Sequence, residues 1–251
     1  MHKLLLLLFI ALTLGTARAT TTAWVLASGD LTQNWGNTAL ITVDDNWGTV
    51  PSIMGYRGDD LTIVTGTDPQ TVLSSASTPV DVIANQTTPN TVTTGGVAEF
   101  EITDPVVAMQ GSGTADAPNL VFYLDSTGMQ AITISYNLRD IDGGADNAIQ
   151  QVALQFRLGG SGDFTNVSAG YIADASTGPS LATLVTPVSV TLPGSADNQA
   201  LLEIRVMTTN AVGSDEWVGI DDIRVTGTAI PEPSGALSGL AGALLLLRRR
   251  R

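Results

Sequence analysis

The chain has 251 residues, a formal net charge of −13, no cysteine and a single histidine, His2. Without cysteine there is no thiol catalysis, thiolate metal site or iron–sulfur chemistry. With one histidine in the leader, Ser-His-Asp triads and the usual zinc sites also go. Carboxylate chemistry survives: hard-metal binding, or a hydrolase built on paired carboxylates.

Residues 1–19 read as a secretory signal peptide, predicted to be a signal helix. Lys3 supplies the positive start, Leu4 to Leu14 the apolar run, and Ala17-Arg18-Ala19 a small-x-small cleavage site. The mature chain then begins at Thr20. The alternative, a buried N-terminal strand or helix, sits poorly with the intact three-part order.

Residues 20–230 form the body. It holds five arginines, no lysine and 23 acidic residues, a net charge of −18. Such a surface repels nucleic-acid backbones and anionic glycans, so no nucleic-acid partner is expected. It suits solubility in a salty medium, or binding of divalent cations. About 210 residues bury enough apolar surface to fold without disulfides.

Residues 20–116 have less regular patterning, as a separate lobe or as loop-rich strands of one sandwich. Asn34-Trp35-Gly36 is echoed by Asn46-Trp47-Gly48. The flat indoles of Trp35 and Trp47 suit either core packing or stacking on a sugar ring. Asp44-Asp45 and Asp59-Asp60 are further carboxylates that this part could lend to a metal.

Alternation becomes clear further on. Ile132, Ile134, Tyr136 and Leu138 alternate with Thr133, Ser135 and Asn137. Val152, Leu154, Phe156 and Leu158 alternate with Ala153, Gln155 and Arg157, and Leu202, Ile204 and Val206 alternate with Glu203 and Arg205. A period of two predicts strands with one face on a core and the other toward water. Turn residues such as Asp142-Gly143-Gly144 and Leu192-Pro193-Gly194 punctuate the runs. The prediction is an all-β body, a β-sandwich or jelly roll.

Asp140, Asp142 and Asp146 lie within seven residues around a glycine turn, an arrangement that suits Ca2+. It lacks the bidentate glutamate of an EF-hand. The alternative is a solvated hairpin joining the strand that ends at Leu138 to one starting near Ile149. Asp221 and Asp222 share a strand, so at most one points inward, and that one needs a cation or a hydrogen-bonding partner.

Residues 231–251 form the tail. Pro231-Glu232-Pro233 precedes an apolar segment, Gly235 to Leu247, and Arg248, Arg249, Arg250 and Arg251 end the chain. Thirteen apolar residues make a short hydrophobic helix of about 20 Å against a hydrocarbon core of about 30 Å. A transmembrane helix of that length is a temporary tether rather than a permanent span. The arginines favour the cytoplasmic side.

This tail resembles the PEP-CTERM sorting signal of exported bacterial proteins, whose three parts it matches in order. The resemblance implies recognition at Pro231, Glu232 and Pro233 by an exosortase-type protease, after signal peptidase has acted. It also implies a cytoplasmic stop at Arg248 to Arg251 and a setting rich in extracellular polysaccharide. The body is similar to an accessory β-module of secreted bacterial surface proteins and extracellular nucleases. That similarity is carried by Ser135–Asp142, Pro179–Val188 and Asp215–Ile223. The histidine and basic groups expected around a scissile phosphate are missing, so a nuclease role does not carry over.

The expected function is that of an exported, non-catalytic surface or matrix protein, tethered transiently at the inner membrane and then released to the cell surface. The alternative is a calcium-dependent glycan-binding module. A carboxylate-based secreted hydrolase is a minor alternative, since nothing in the sequence pairs two carboxyls across a cleft.

Overall fold

The alternating segments are strands in the structure, a computed structural model that describes residues 22–74, 79–145 and 147–232. The first six strands are β1 (Trp24–Val25), β2 (Leu31–Gln33), β3 (Ile53–Tyr56), β4 (Ile83–Gln86), β5 (Gly96–Phe100) and β6 (Val106–Gln110). Seven follow: β7 (Asn119–Asp125), β8 (Met129–Asp140), β9 (Val152–Leu158), β10 (Thr165–Asn166), β11 (Val185–Thr191), β12 (Leu202–Thr208) and β13 (Val218–Ala229). Helix is confined to one-turn 3-10 segments among the described residues, and none is long and apolar enough to cross a membrane. The expected signal helix and hydrophobic tail helix lie outside the described residues, as do Ala17, Ala19, Pro233 and Arg248 to Arg251.

The strands make two sheets. One runs β1-β7-β12-β9-β10, with β3 also on β7; the other runs β11-β8-β13-β6-β5-β4, with β2 also on β13. The core lies between them. Leu120, Phe122, Leu124, Ile204 and Val206 come from the first sheet, and Ile132, Ile134, Leu138, Ile220 and Val225 from the second; all are fully buried. The β-sandwich expectation therefore holds for the body. Strands from residues 20–116 pair into both sheets: β3 with β7, β2 with β13 and β6 with β13. Those residues are the loop-rich part of one sandwich rather than a separate lobe.

The water-facing assignment holds for β8, where the residues between the buried ones are partly exposed. It fails for β9 and β12, whose polar residues are buried too. A loop covers that outer face, and the polar side chains satisfy one another beneath it. Arg205 donates from Nε to Gln155 Oε1 at 2.8 Å, and from its Nη atoms to the carbonyls of Val72 and Ser74 at 2.7 and 3.1 Å. Arg157 donates from Nε to Glu203 Oε2 at 2.6 Å. Both guanidinium groups lie over the Phe164 ring, 3.9 and 4.3 Å from its centroid. Buried charge is tolerated here because Arg157 is paired with Glu203, and Arg205 is hydrogen-bonded to an amide oxygen and two backbone carbonyls.

The predicted hairpin at Asp140–Asp146 is also corrected. β8 and β9 belong to different sheets, so the segment between them crosses the sandwich. Asp221 and Asp222 behave as the strand geometry requires. Asp221 is buried and bonded to Arg139 at 2.6 Å, while Asp222 is exposed at a break in the β13–β8 register.

Candidate functional site

The two Asn-Trp-Gly segments share a side-chain turn, although Trp35 is left-handed at φ 55° and Trp47 is not. In each, the asparagine side chain accepts from the glycine N–H two residues on: Asn34 from Gly36 at 3.2 Å and Asn46 from Gly48 at 3.0 Å. In each, the indole turns inward. Trp35 Nε1 donates to Ile220 O at 2.7 Å and Trp47 Nε1 to Asp81 O at 3.0 Å. The rings meet edge to face with centroids 6.3 Å apart. Trp35 and Trp47 are 2% and 3% exposed, so sugar stacking on these two indoles is ruled out. They are core residues, held because a buried indole N–H needs an acceptor.

The least buried tryptophan is Trp24, which is half-buried and packs in part against the core. Trp217 is fully buried against Phe100, and Trp24 alone of the four tryptophans keeps part of its surface in solvent. Trp24 sits on β1, whose parallel pairing with β7 covers only Leu124 and Asp125. Its Nε1 donates to Gly29 O at 2.8 Å, which fixes the ring across the 3-10 turn Leu26–Ser28. The loop before β3 folds opposite. Ser52 Oγ donates to Thr22 O at 2.7 Å, and Tyr123 N–H donates to Ser52 O at 2.8 Å, tying both sides to β7.

Between them lies an open groove of about 700 Å³. Trp24, Val25 and Pro51 supply apolar surface; Asp45, Asn46 and Thr49 supply polar groups. Val25 is 44% exposed, and Asp45, Asn46 and Thr49 are exposed as well. Asn46 spends its amide oxygen on Gly48, which leaves its NH2 to donate. Asp45 is held in a left-handed conformation at φ 58°. Its N–H donates to Val82 O at 2.9 Å and its Oδ1 accepts from Val82 N–H at 3.3 Å. An apolar plate bordered by a few convergent polar groups is the usual composition of a small-ligand site. In the sequence Trp24 lies in a short apolar run, Trp24–Leu26, that reads as one more strand.

In the acidic loop the described carboxylates are engaged with the chain itself. Asp140 accepts from Thr177 N–H at 2.8 Å and Thr177 Oγ1 at 3.2 Å, and Asp142 accepts from Gly144 N–H at 3.0 Å. Burial raises the Asp140 pKa, the Thr177 bonds oppose that, and the nearby Asp142 charge adds to it. Asp146 lies outside the described residues. Among the described residues no group of three or more acidic side chains converges on a metal position.

Carboxylates instead brace loops. Asp44 accepts from Ala84 N–H at 2.9 Å, Glu99 from Asn85 N–H at 2.8 Å and Asp81 from Val97 N–H at 2.7 Å. Burial pushes Asp81 up to about 6 and Glu99 up to about 7. Asp59 pairs with Arg57, and Asp60 N–H donates to Asp116 at 2.9 Å. Asp142 and Asp215 both line a polar cleft of about 310 Å³ at the ends of β6, β8 and β13. Burial raises the Asp215 pKa, and its Oδ1 holds Ala211 N–H at 2.7 Å and Gln150 Nε2 at 3.3 Å.

No family model and no curated protein matches the chain. Solved structures give loose likenesses. A carbohydrate-binding module, TmCBM61 in complex with β-1,4-galactotriose, is 10% identical with TM-score 0.32, over 51% of this chain and 74% of its own. The K2 cleaved adhesin domain of Lys-gingipain is 14% identical with TM-score 0.42, over 79% and 98%. A CBM28 module specific for non-crystalline cellulose is 15% identical with TM-score 0.36, over 60% and 100%. At these values the likeness does not say what this chain binds.

Proposed function

We propose that this chain is an exported, non-catalytic surface protein whose β-sandwich binds extracellular polysaccharide in the Trp24 groove. The observation that carries the binding is the half-buried Trp24 lining the groove, fixed through its N–H and bordered by Asp45, Asn46 and Thr49. A sugar ring offers an apolar C–H face to such a plate and hydroxyls to such a border. An open groove suits part of a chain rather than an enclosed monosaccharide. Net charge in the body points away from uronic-acid or sulfated polymers. Calcium has no part in this reading.

Export rests on the two ends of the sequence. Signal peptidase removes residues 1–19. The Pro231-Glu232-Pro233 tail then holds the body transiently at the inner membrane until an exosortase-type protease releases it to the cell surface. The body is the delivered part, and its role is adhesion to the layer it enters.

The test is binding of the purified full-length chain to a panel of soluble polysaccharides by affinity electrophoresis, with Trp24→Ala and Trp24→Phe beside it. Retardation of the native chain, its loss in Trp24→Ala and its partial retention in Trp24→Phe are expected. Retardation unchanged in Trp24→Ala would place the sugar site elsewhere.

A further inference from the structure

We infer that the groove selects polysaccharides bearing free amino groups, with Asp45 as the residue that reads the amine. The inference rests on the glycan-binding reading and specifies its substrate class. Within the groove the ionisable side chain among the described residues is a carboxylate, and no described lysine or arginine lines it. Asp45 is exposed, yet its place is fixed by the reciprocal bonds between its backbone N–H and carboxylate and the peptide of Val82. A carboxylate held this way pays little ordering entropy when a cation arrives.

The indole of Trp24 lines the same groove. Carboxylate and aromatic face attract an ammonium by different means: one by charge, the other by its ring quadrupole. A neutral hydroxyl uses only the hydrogen-bonding capacity of Asp45. A protonated 2-amino sugar uses its charge as well. An N-acetyl group at that position removes the positive charge, and a uronic acid meets repulsion. The expected order is therefore amine-bearing, then neutral, then acidic polymers. The charge on the rest of the body attracts any polycation, so selectivity has to be shown at physiological salt, where distant charges are screened beyond about 8 Å.

The experiment is isothermal titration of the full-length chain with glucosamine oligomers, their N-acetylated counterparts and an oligolysine of matched charge. The variants are Asp45→Asn and, as a carboxylate outside the groove, Asp163→Asn. Asp45→Asn should weaken the glucosamine oligomer about fivefold, the scale of one exposed ion pair, and leave the N-acetylated oligomer within twofold. Asp163→Asn should leave both unchanged. Equal affinity of the native chain for both oligomers, or an Asp45→Asn variant with an unchanged preference, would overturn the inference and leave glycan binding intact. Oligolysine binding as tight as the glucosamine oligomer and insensitive to Trp24→Ala would overturn it as general charge attraction. If neither oligomer binds, nor any polymer of the affinity panel, it is the glycan-binding reading that fails.

Discussion

Replacing Glu99 by glutamine should flatten the pH dependence of stability. β4 pairs with β5 irregularly: Ile83 lies opposite Ala98 but Gln86 opposite Phe100, so one extra residue bulges out. The bulge takes Asn85 to φ 55°, and its N–H is met by the Glu99 carboxylate at 2.8 Å. Glu99 is buried, and its Oε1 has no hydrogen-bond partner among the described residues. Burial raises its pKa from 4.5 to about 7, more than the Asn85 bond lowers it; the nearby Glu101 charge also raises it. The folded state therefore holds the proton more tightly than the unfolded chain. The stabilisation is complete below the unfolded value of 4.5 and is lost as pH rises through about 7. Between pH 5 and pH 8 the loss from this one group is about 2.5 kcal/mol. For a domain of this size that is about 5–10 °C in thermal midpoint. Thermal and urea melts at both pH values, for the native chain and Glu99→Gln, measure it. The native chain should be less stable at pH 8, and the variant should lose about 2.5 kcal/mol less across the interval. A variant that keeps the native slope would refute the reasoning.

Other outcomes follow from the same structure. Arg205→Ala removes the donor to Gln155, Val72 and Ser74 beneath the loop and leaves these neutral acceptors unsatisfied, which should cost about 1–3 kcal/mol in urea melts; a change under about 0.5 kcal/mol would mean that the layer is not a stabilising network. At Gly55 an added Cβ would overlap the Trp47 ring and come within 2.8 Å of Asp81 O. Gly55→Ala should therefore destabilise by about 1–3 kcal/mol and weaken glycan binding by shifting the loop beside the groove. Millimolar calcium should leave the thermal midpoint unchanged, because Asp140 is committed to Thr177; a rise of several degrees would restore the acidic loop as a metal site. Mass spectrometry of the exported protein should show a start at Thr20 and loss of residues after the Pro231–Pro233 motif; an intact tail would remove the sorting account.

The period-two pattern made the β8 face and the sandwich legible, because alternation maps directly onto burial when one face meets water. It misled at β9 and β12 because the loop that covers Gln155 and Arg205 comes from residues 69–74, far away in sequence. The Asp140–Asp146 turn resembled a hairpin locally, and only strand pairing shows it passing between sheets. Of the two readings of the tryptophan echo, core packing is the one the structure shows: each asparagine caps a turn that buries its indole, Trp35 or Trp47. Trp24 was invisible because exposure depends on how little of β7 is left for β1 to pair with.

The account's central claim is that glycan binds on Trp24. Isothermal titration of the native chain and Trp24→Ala with the best-retained polysaccharide tests it directly, with melting curves as the check on folding. The account predicts at least a tenfold loss of affinity, about 1.4 kcal/mol, at an unchanged cooperative fold. Trp24→Phe, which keeps a ring without the N–H, should recover part of it. Native affinity in a folded Trp24→Ala variant would contradict the account.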